Sequence, residues 1–315
     1  MNNNQNINIE EKRKIFLEEL GRIEYSMDKY VKNLDSKFYR YFLRIFVLKH
    51  KFFIKSVALV LKNVIHFNLI KNVTLFWGRK FKVFLADADA SSLYFWGSLY
   101  GEEIKIIKFF IKNLKEGDIF YDIGANYGFY TVLSQEFISN GEVHSFEPHP
   151  KIFKLLKDNS RLDFFNNTFL NNIALSNEEG YIKFYDHFSD SHHSGGSSLI
   201  NYSNEKNKEI IVQSFKLDTY IKNNKIPTII KMDIEGGEVL CLNGGINLLS
   251  QYSPIIIMEF FNDDFHKKAA SILLNNNYKM FQLENNGDIS LLNDTEVDKI
   301  IKGLETSQNN YVFKK

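Results

Sequence analysis

Short apolar runs alternate with segments of helical periodicity over most of the chain. The runs predicted as buried core strands are 119–123, 141–147, 169–175, 227–232 and 254–258. The helices predicted between them are 104–114, 129–137, 151–159 and 263–275. A strand at 278–283 and the turn Asn285-Asn-Gly-Asp288 predict an antiparallel hairpin late in the chain. The pattern predicts an α/β fold, a doubly wound and mostly parallel sheet with helices on both faces.

Residues 1–72 have a different pattern, which predicts a mainly helical, basic extension. Residues 9–34 have the spacing of a surface helix, and the apolar residues of 38–67 are interleaved with lysines. Segment 36–86 contains eleven Lys and Arg and no acid, although the whole chain has a net charge of +1. It could pack on the main domain or on a second subunit, or contact an anionic membrane or an anionic carrier of the substrate. No nucleic-acid-binding module is recognisable in it.

Residues 73–315 are predicted to form one larger domain, with its motifs concentrated in 117–260. Residues 178–222 interrupt the alternation of strands and helices, which predicts an insertion on the substrate side. An apolar fraction of 44% is enough for a sizeable core. The single cysteine, Cys241, falls in an apolar helix and suits a reducing compartment, and neither a secretion signal nor a long apolar run is present. We therefore expect a cytoplasmic protein, free or peripheral to the inner face of the membrane.

A nucleotide-type site is predicted at 117–131, where a strand, a glycine turn and a helix follow one another. Asp122 lies at the end of the strand, and Gly124 and Gly128 bracket the turn. The third glycine of a dinucleotide motif is missing, and Asp122 would repel a pyrophosphate. S-adenosylmethionine (SAM) fits this acid better, because it carries an ammonium and a sulfonium and no phosphate.

A second acid, Glu147, ends the next predicted strand. In a βαβ unit an acid at this place accepts hydrogen bonds from the hydroxyl groups of a ribose. Dinucleotide enzymes use the same arrangement, so Glu147 alone does not identify the cofactor. Its combination with Asp122 favours SAM.

Further carboxylates follow two later strands: Asp233 and Glu235 after 227–232, and Glu259 after 254–258. In an extended segment positions 233 and 235 would point the same way, and converging carboxylates raise one another's pKa, which suits a general base. The same three groups could hold Mg²⁺ or a similar hard cation, although no spacing fixes a coordination geometry. Other candidate bases are His149, His192 and His193. Glu238 opens the next helix, where an acid also suits the helix dipole.

Four segments of the chain resemble the FkbM-type SAM-dependent methyltransferases: 122–131, 146–150, 174–176 and 231–238. They occur in the family's order and spacing over about residues 97–285, and Ser197-Ser198-Leu199 and Leu217-Asp218 also fit the pattern. The resemblance implies a Rossmann-like, seven-stranded methyltransferase fold and methylation of hydroxyl groups in sugars, polyketides or related metabolites. Gly237 departs from the pattern, which usually has a small residue with a side chain there.

The resemblance also implies roles for individual residues. The methionine end of SAM would be held by Asp122, Gly124, Ala125, Asn126, Gly128 and Thr131. Glu147 would bind the ribose, and the backbone near Ala174 would lie beside the adenine. The first seventy or so residues lie outside the resemblance and inherit no role from it.

We therefore expect a SAM-dependent O-methyltransferase that acts on a hydroxyl of a sugar or glycan, for example in surface-polysaccharide synthesis. One alternative is an NAD-dependent sugar dehydrogenase or epimerase. Tyr202-Ser-Asn-Glu-Lys206 matches its Tyr-x-x-x-Lys signature, but in a polar loop rather than on a helix. The other alternative is a non-catalytic membrane-surface protein with a Rossmann-like domain. The number of strand-end acids speaks against it.

Overall fold

The computed structural model describes residues 8–34, 70–84, 87, 90–161, 166–186, 197–200, 208–304 and 309–315. The chain forms two compact units, and the boundary between them lies between Tyr100 and Gly101. The domain boundary predicted between residues 72 and 73 stays a prediction, as do the helices of 38–67, a segment that lies outside the described residues. Within the described residues, no helix is both long and apolar enough to cross a membrane.

The first unit contains the predicted N-terminal helix and a β-hairpin. Helix α1 spans Ile9–Leu34, strands β1 (Ile70–Thr74) and β2 (Lys80–Phe84) pair antiparallel, and helix α2 spans Ser91–Trp96. The ring of Phe16 stacks on that of Trp77 at 5.6 Å between centroids, so α1 packs against the turn of the hairpin. Phe16, Leu20 and Met27 are buried, as expected for the apolar face of an amphipathic helix.

The second unit holds two sheets and the remaining described helices. Its strands are β3 (Ile119–Ile123), β4 (Glu142–Phe146), β5 (Thr168–Asn171), β6 (Ala174–Leu175), β7 (Gly180–Asp186), β8 (Lys208–Phe215), β9 (Ile229–Met232), β10 (Ile255–Phe260), β11 (Lys279–Leu283), β12 (Ile289–Leu291) and β13 (Asn309–Lys314). Its helices are α3 (Glu103–Asn113), α4 (Phe129–Gln135), α5 (Pro150–Ser160), α6 (Leu217–Tyr220), α7 (Glu238–Asn243), α8 (Ile246–Gln251), α9 (Asp264–Asn275) and α10 (Asp294–Ile301).

The main sheet has the order β12-β11-β13-β10-β9-β3-β4-β5. Strands β5, β4, β3, β9 and β10 run parallel, whereas β13 is inserted antiparallel between β10 and β11. The order reverses at β3, as in doubly wound folds that bind a ligand beyond the carboxyl ends of the strands. The α/β prediction is confirmed, and the late hairpin is β11–β12, which adds an eighth strand to the predicted seven.

The central strands are buried on both faces, which is why they read as continuous apolar runs. Every residue of β3 and of β9 is buried. Each of these strands nevertheless contains one charged residue, and Asp122 of β3 pairs in register with Lys231 of β9. A charge is rarely buried unless it is paired, so this register places opposite charges side by side inside the sheet.

Two strand predictions near the site are wrong in detail. The run 169–175 forms two strands in different sheets, because the Asn172 side chain donates hydrogen bonds to Glu147 O and Pro148 O and the main-sheet strand ends before it. Ala174 therefore belongs to the small sheet β6-β8-β7 of the insertion. Strand β10 continues through Phe260, so Glu259 lies within it rather than after it.

Candidate active site

The predicted cofactor and acceptor acids lie at one edge of the main sheet. Strands β4, β3, β9 and β10 are parallel neighbours in that order, so their carboxyl ends meet there. Asp122, Glu147, Asp233 and Glu259 lie in or directly after these strands. The topology thus brings together side chains that are as many as 137 positions apart in the sequence.

The glycine turn after β3 depends on conformations and contacts that a side chain would disrupt. Gly124 has φ +79° and Gly128 has φ +91°, both in the left-handed region that favours glycine. A Cβ on Gly124 would lie 1.8 Å from the carbonyl oxygen of Asp233. Gly124 therefore allows the turn after β3 to touch the turn after β9, which carries the acceptor-side acids.

We expect Gly124→Ala to lower the free energy of unfolding by about 1–3 kcal/mol, the usual cost of strained backbone, and to separate the two turns. Urea unfolding followed by circular dichroism would measure it. Gly180 is the matched control, because it also has a positive φ but no atom lies within 4 Å of its Cβ position. If Gly124→Ala were no more destabilising than Gly180→Ala, the close approach of the two turns would be unimportant.

The backbone N–H groups of the turn are already used inside the protein. They donate as follows: Gly124 and Ala125 to Phe146 O, Asn126 to Glu147 Oε2, and Gly128 to Ala125 O. A dinucleotide site needs such groups free to bind the pyrophosphate. This arrangement therefore suits a ligand without phosphate, such as SAM, and disfavours the NAD alternative.

Glu147 is almost fully buried and accepts hydrogen bonds on both oxygens. Asn126 N donates to Oε2 at 3.0 Å, and His149 N donates to Oε1 at 2.8 Å. Burial raises the pKa of Glu147 to about 7, although these two hydrogen bonds favour the ionised form. The carboxylate is thus fixed in orientation, and its ionisation is sensitive to pH near neutrality.

Asp122 is fully buried, and its two oxygens differ. Thr131 Oγ1 donates to Oδ2 at 2.6 Å and also lies 2.7 Å from Ser145 Oγ, whereas Oδ1 has no hydrogen-bond partner among the described residues. Burial raises the pKa of Asp122, while the nearby Lys231 ammonium opposes that shift. An incompletely satisfied buried carboxylate is suited to a ligand that supplies a donor or a positive charge.

Lys231 lies among the acids, and sequence reasoning gave it no role. Its Nζ lies 2.9 Å from Asp233 Oδ2 and 5.0 Å from the centroid of the Tyr130 ring. Burial alone would lower the pKa of Lys231, but the carboxylates of Asp233, Asp122 and Glu103 raise it above its usual value. The ammonium therefore stays charged and links the cofactor-side and acceptor-side acids. A lysine inside an otherwise apolar strand was the available signal.

Asp233, Glu235 and Glu259 converge, with one carboxylate oxygen from each within 4.8 Å of the others. The predicted cause of this convergence, an extended segment in which positions 233 and 235 point the same way, is wrong. The segment after Asp233 is a turn in which Glu235 has φ +53°. The three side chains are partly exposed, so a substrate can reach them.

The pKa values of Glu259 and Asp233 in this cluster are shifted in opposite directions. Burial raises the pKa of Glu259, and the neighbouring Asp233 and Glu235 carboxylates raise it further. Burial also acts to raise the pKa of Asp233, but Lys231 and the hydrogen bond with Glu259 outweigh it and hold it below its usual value. The result is a neutral Glu259 beside an ionised Asp233 at neutral pH. The spacing would also fit a hard cation, but Lys231 already occupies one Asp233 oxygen.

Glu103 is a further acid at this edge that sequence reasoning missed. It is in the first turn of α3, and Tyr130 Oη donates to its Oε2 at 2.5 Å. Burial raises the pKa of Glu103, which also interacts electrostatically with Lys231 and Asp233. The sequence offered no signal for it, since an acid in the first turn of a helix is common.

The other candidate groups have structural contacts or lie outside the described residues. His149 caps α5: its Nδ1 accepts from Lys151 N and Ile152 N, and its Nε2 lies 3.2 Å from Asp186 Oδ1. Nδ1 is thus used as an acceptor within the protein, and Nε2 is buried beside a carboxylate, which argues against a role as base. Glu238 is fully buried and accepts from Ile234 N at 2.8 Å, so it supports the turn after β9. His192, His193 and the Tyr202–Lys206 segment are outside the described residues.

Known proteins resemble parts of this chain. The hexuronic acid methyltransferase AglP of Haloferax volcanii is 25% identical over 164 residues, which cover 50% of this chain and 62% of that protein. The crystal structure of methyltransferase FkbM from Methylobacillus flagellatus matches with a TM-score of 0.40 at 16% identity, covering 73% of this chain and 48% of that one. Aeropyrum pernix fibrillarin with bound S-adenosyl-L-methionine matches with a TM-score of 0.37 at 11% identity, over 66% and 73%.

The family model described as the Methyltransferase FkbM domain matches residues 122–280, about half of the chain. The match begins at Asp122 of β3, just before the glycine turn. It includes the insertion, the turn after β9 and Glu259 of β10. It confirms the resemblance inferred from the four sequence segments. The chain spans less than two thirds of the length of AglP and of the Methylobacillus flagellatus protein. It belongs to the FkbM methyltransferase family.

Proposed function

We propose that this enzyme transfers the methyl group of SAM to a hydroxyl of a sugar or glycan, forming a methyl ether. The observation that carries the proposal is the convergence of the Asp233, Glu235 and Glu259 carboxylates at the sheet edge beside the glycine turn. A hydroxyl is a poor nucleophile at neutral pH and needs a group that accepts its proton. A carboxylate acceptor needs no base, and the acidic cluster would repel it.

The binding of SAM is assigned to the turn after β3 and the end of β4. Glu147 would accept hydrogen bonds from the ribose hydroxyls, and Asp122, Gly124, Ala125, Asn126, Gly128 and Thr131 would surround the methionine end. Ala174 stays a candidate for contact with the adenine from the small sheet. SAM supplies an electrophilic methyl group on a positively charged sulfur.

On the acceptor side, Asp233 would accept a hydrogen bond from the reacting hydroxyl and orient its oxygen toward the methyl group. As the new C–O bond forms and the C–S bond breaks, the hydroxyl becomes much more acidic. Its proton then passes to the Asp233 carboxylate, and S-adenosylhomocysteine leaves with a neutral sulfur. Even a carboxylate of low pKa can take the proton at this late stage. Lys231 holds Asp233 in place, and Glu235 and Glu259 would contact neighbouring hydroxyls of the acceptor.

The similarity to a hexuronic acid methyltransferase supports a sugar as the acceptor, whereas the acidic cluster of this chain favours a hydroxyl over a carboxylate. A tritiated-methyl transfer assay tests it over a panel of nucleotide sugars, lipid-linked glycans and polysaccharide extracts. Label should enter a neutral sugar in preference to the matching uronic acid. Each assay should be repeated with EDTA, since activity lost with the chelator and restored by Mg²⁺ would assign the acids to a metal instead.

The proposed role of Glu147 predicts a pH dependence of SAM binding. Because burial raises the pKa of Glu147 to about 7, this carboxyl is mostly neutral at pH 6 and mostly ionised at pH 7.5. The ionised form is the better acceptor for ribose hydroxyls, so SAM should bind several-fold more weakly at pH 6, by an amount of order tenfold at most. Isothermal titration calorimetry at the two pH values measures the difference.

Glu147→Gln is the control for this pH dependence. It should bind SAM more weakly than the wild type at pH 7.5, with only the pH dependence that the ligand itself contributes. NAD should give no heat with either protein. An unchanged pH profile in Glu147→Gln would remove Glu147 from the ribose site.

A further inference from the structure

The small sheet of the insertion contacts the cofactor side of the site at the end of β7. Asp186, the last residue of that strand, is buried, and its Oδ1 lies 3.2 Å from His149 Nε2. The backbone N–H of His149 in turn donates to Glu147 Oε1 at 2.8 Å. Asp186 is therefore connected to the proposed ribose acid through one intervening residue.

The same sheet contacts the acceptor side through Ser198, a residue of the Ser197-Ser198-Leu199 motif. Ser198 is 1% exposed, and its Oγ donates to the backbone oxygen of Glu235 at 2.6 Å. Glu235 has φ +53°. This backbone conformation is unfavourable in free energy for any residue that has a side chain. The hydrogen bond from Ser198 fixes the backbone at this strained position.

These two contacts are adjacent. Tyr185 and Ser198 form a β-bridge in which each N–H donates to the other's oxygen, at 2.8 and 3.2 Å. Asp186 follows Tyr185 directly, so the side chains that contact His149 and Glu235 start from one short, hydrogen-bonded piece of backbone. The insertion thus holds both halves of the site from a single place.

We propose that Ser198 and Asp186 are positioning residues with separate tasks: Ser198 fixes the acceptor-side turn through Glu235, and Asp186 fixes the ribose acid Glu147 through His149. This inference rests on the proposed roles of Glu235 and Glu147. Because misplacing a reacting group by about 1 Å can cost a hundredfold in rate, loss of either contact should be measurable.

The first test compares Ser198→Ala with Ser214→Ala. Ser214 is the matched control, since it is fully buried in β8 of the same sheet and donates from Oγ to a backbone oxygen, that of Glu178, at 2.8 Å. Ser198→Ala should lower kcat about 10-fold or more and leave the Kd for SAM unchanged, whereas Ser214→Ala should change neither. Ser198→Thr, which keeps the hydroxyl, should recover most of kcat.

The second test measures SAM binding alone. Asp186→Ala should raise the Kd for SAM several-fold, and Asp186→Asn, which keeps an acceptor for His149 Nε2, should bind nearly as the wild type. Melting temperatures would identify any variant that does not fold. Equal losses in Ser198→Ala and Ser214→Ala, or a Kd unchanged in a folded Asp186→Ala, would overturn the proposal. Failure of the proposed function would look different, because the wild type would then bind SAM but label no hydroxyl.

Discussion

Asp233→Asn should lower kcat for methyl transfer by about 10³-fold, within the range that a positioned general base contributes. Asparagine keeps the shape of the side chain and can still accept a hydrogen bond from Lys231 Nζ, which lies 2.9 Å from Asp233 Oδ2. It cannot take up the proton of the acceptor hydroxyl. The Kd for SAM should stay nearly unchanged, because the proposed cofactor contacts come from the turn after β3 and from Glu147. Single-turnover assays with saturating SAM would measure the loss.

Asp288→Asn is the control for this change. Asp288 is an exposed acid that forms a surface ion pair with Lys112, so its loss should leave kcat at the wild-type value. Full activity in Asp233→Asn would remove Asp233 from the mechanism. Comparison with Glu259→Gln and Glu235→Gln would then show whether another acid of the cluster accepts the proton.

Lys231→Met should lower the free energy of unfolding by about 3–5 kcal/mol near neutral pH, the cost of breaking a buried ion pair by removing one partner. Lys231 is 5% exposed, and its ammonium is paired with Asp233 and lies close to Asp122. Methionine fills much of the volume but leaves the carboxylates without a counter-charge. The variant should also lose most of its activity, because Asp233 would lose its partner.

The stability deficit of Lys231→Met should depend on pH. Without the ammonium, the pKa of Asp122 in the folded protein rises further above its value in the unfolded chain. A raised carboxyl pKa gives stability that is present at low pH and lost as the pH rises. Urea unfolding should therefore show a larger deficit at pH 8 than at pH 5. Lys183→Met, which removes a surface pair with Glu209, should have no such pH-dependent effect. The same deficit at both pH values would contradict a buried charge network.

The positions of Asp122, Glu147 and Asp233 could be predicted because a few local rules determine them. Each lies in or directly after a short apolar run, and parallel strands end at the same edge of a sheet. The glycines of the turn likewise indicated a close approach of backbone, and Gly124 shows it. For these residues the local sequence pattern contains the relevant information.

Other parts of the site depend on packing between distant segments. Glu103 lies close to Lys231 and Asp233 because α3 packs at this edge of the sheet, where Tyr130 Oη donates a hydrogen bond to the Glu103 carboxylate. Lys231 is identifiable as a partner of Asp122 only when the register of β3 and β9 is known. Ala174 lies in the small sheet and not, as the apolar run 169–175 predicts, in the main sheet. The apolar run does not show that Asn172 ends the first strand. None of these contacts follows from periodicity.

The central claim is that the acceptor is a hydroxyl whose proton passes to the carboxylate of Asp233. The most direct test is the chemical stability of the methyl group after transfer from tritiated SAM to a purified acceptor. A methyl ether survives mild alkali, whereas a methyl ester on a uronic acid is hydrolysed and releases its label as volatile methanol. We predict alkali-stable label, formed by the wild type and lost in Asp233→Asn. Label that is released quantitatively as methanol would contradict the claim.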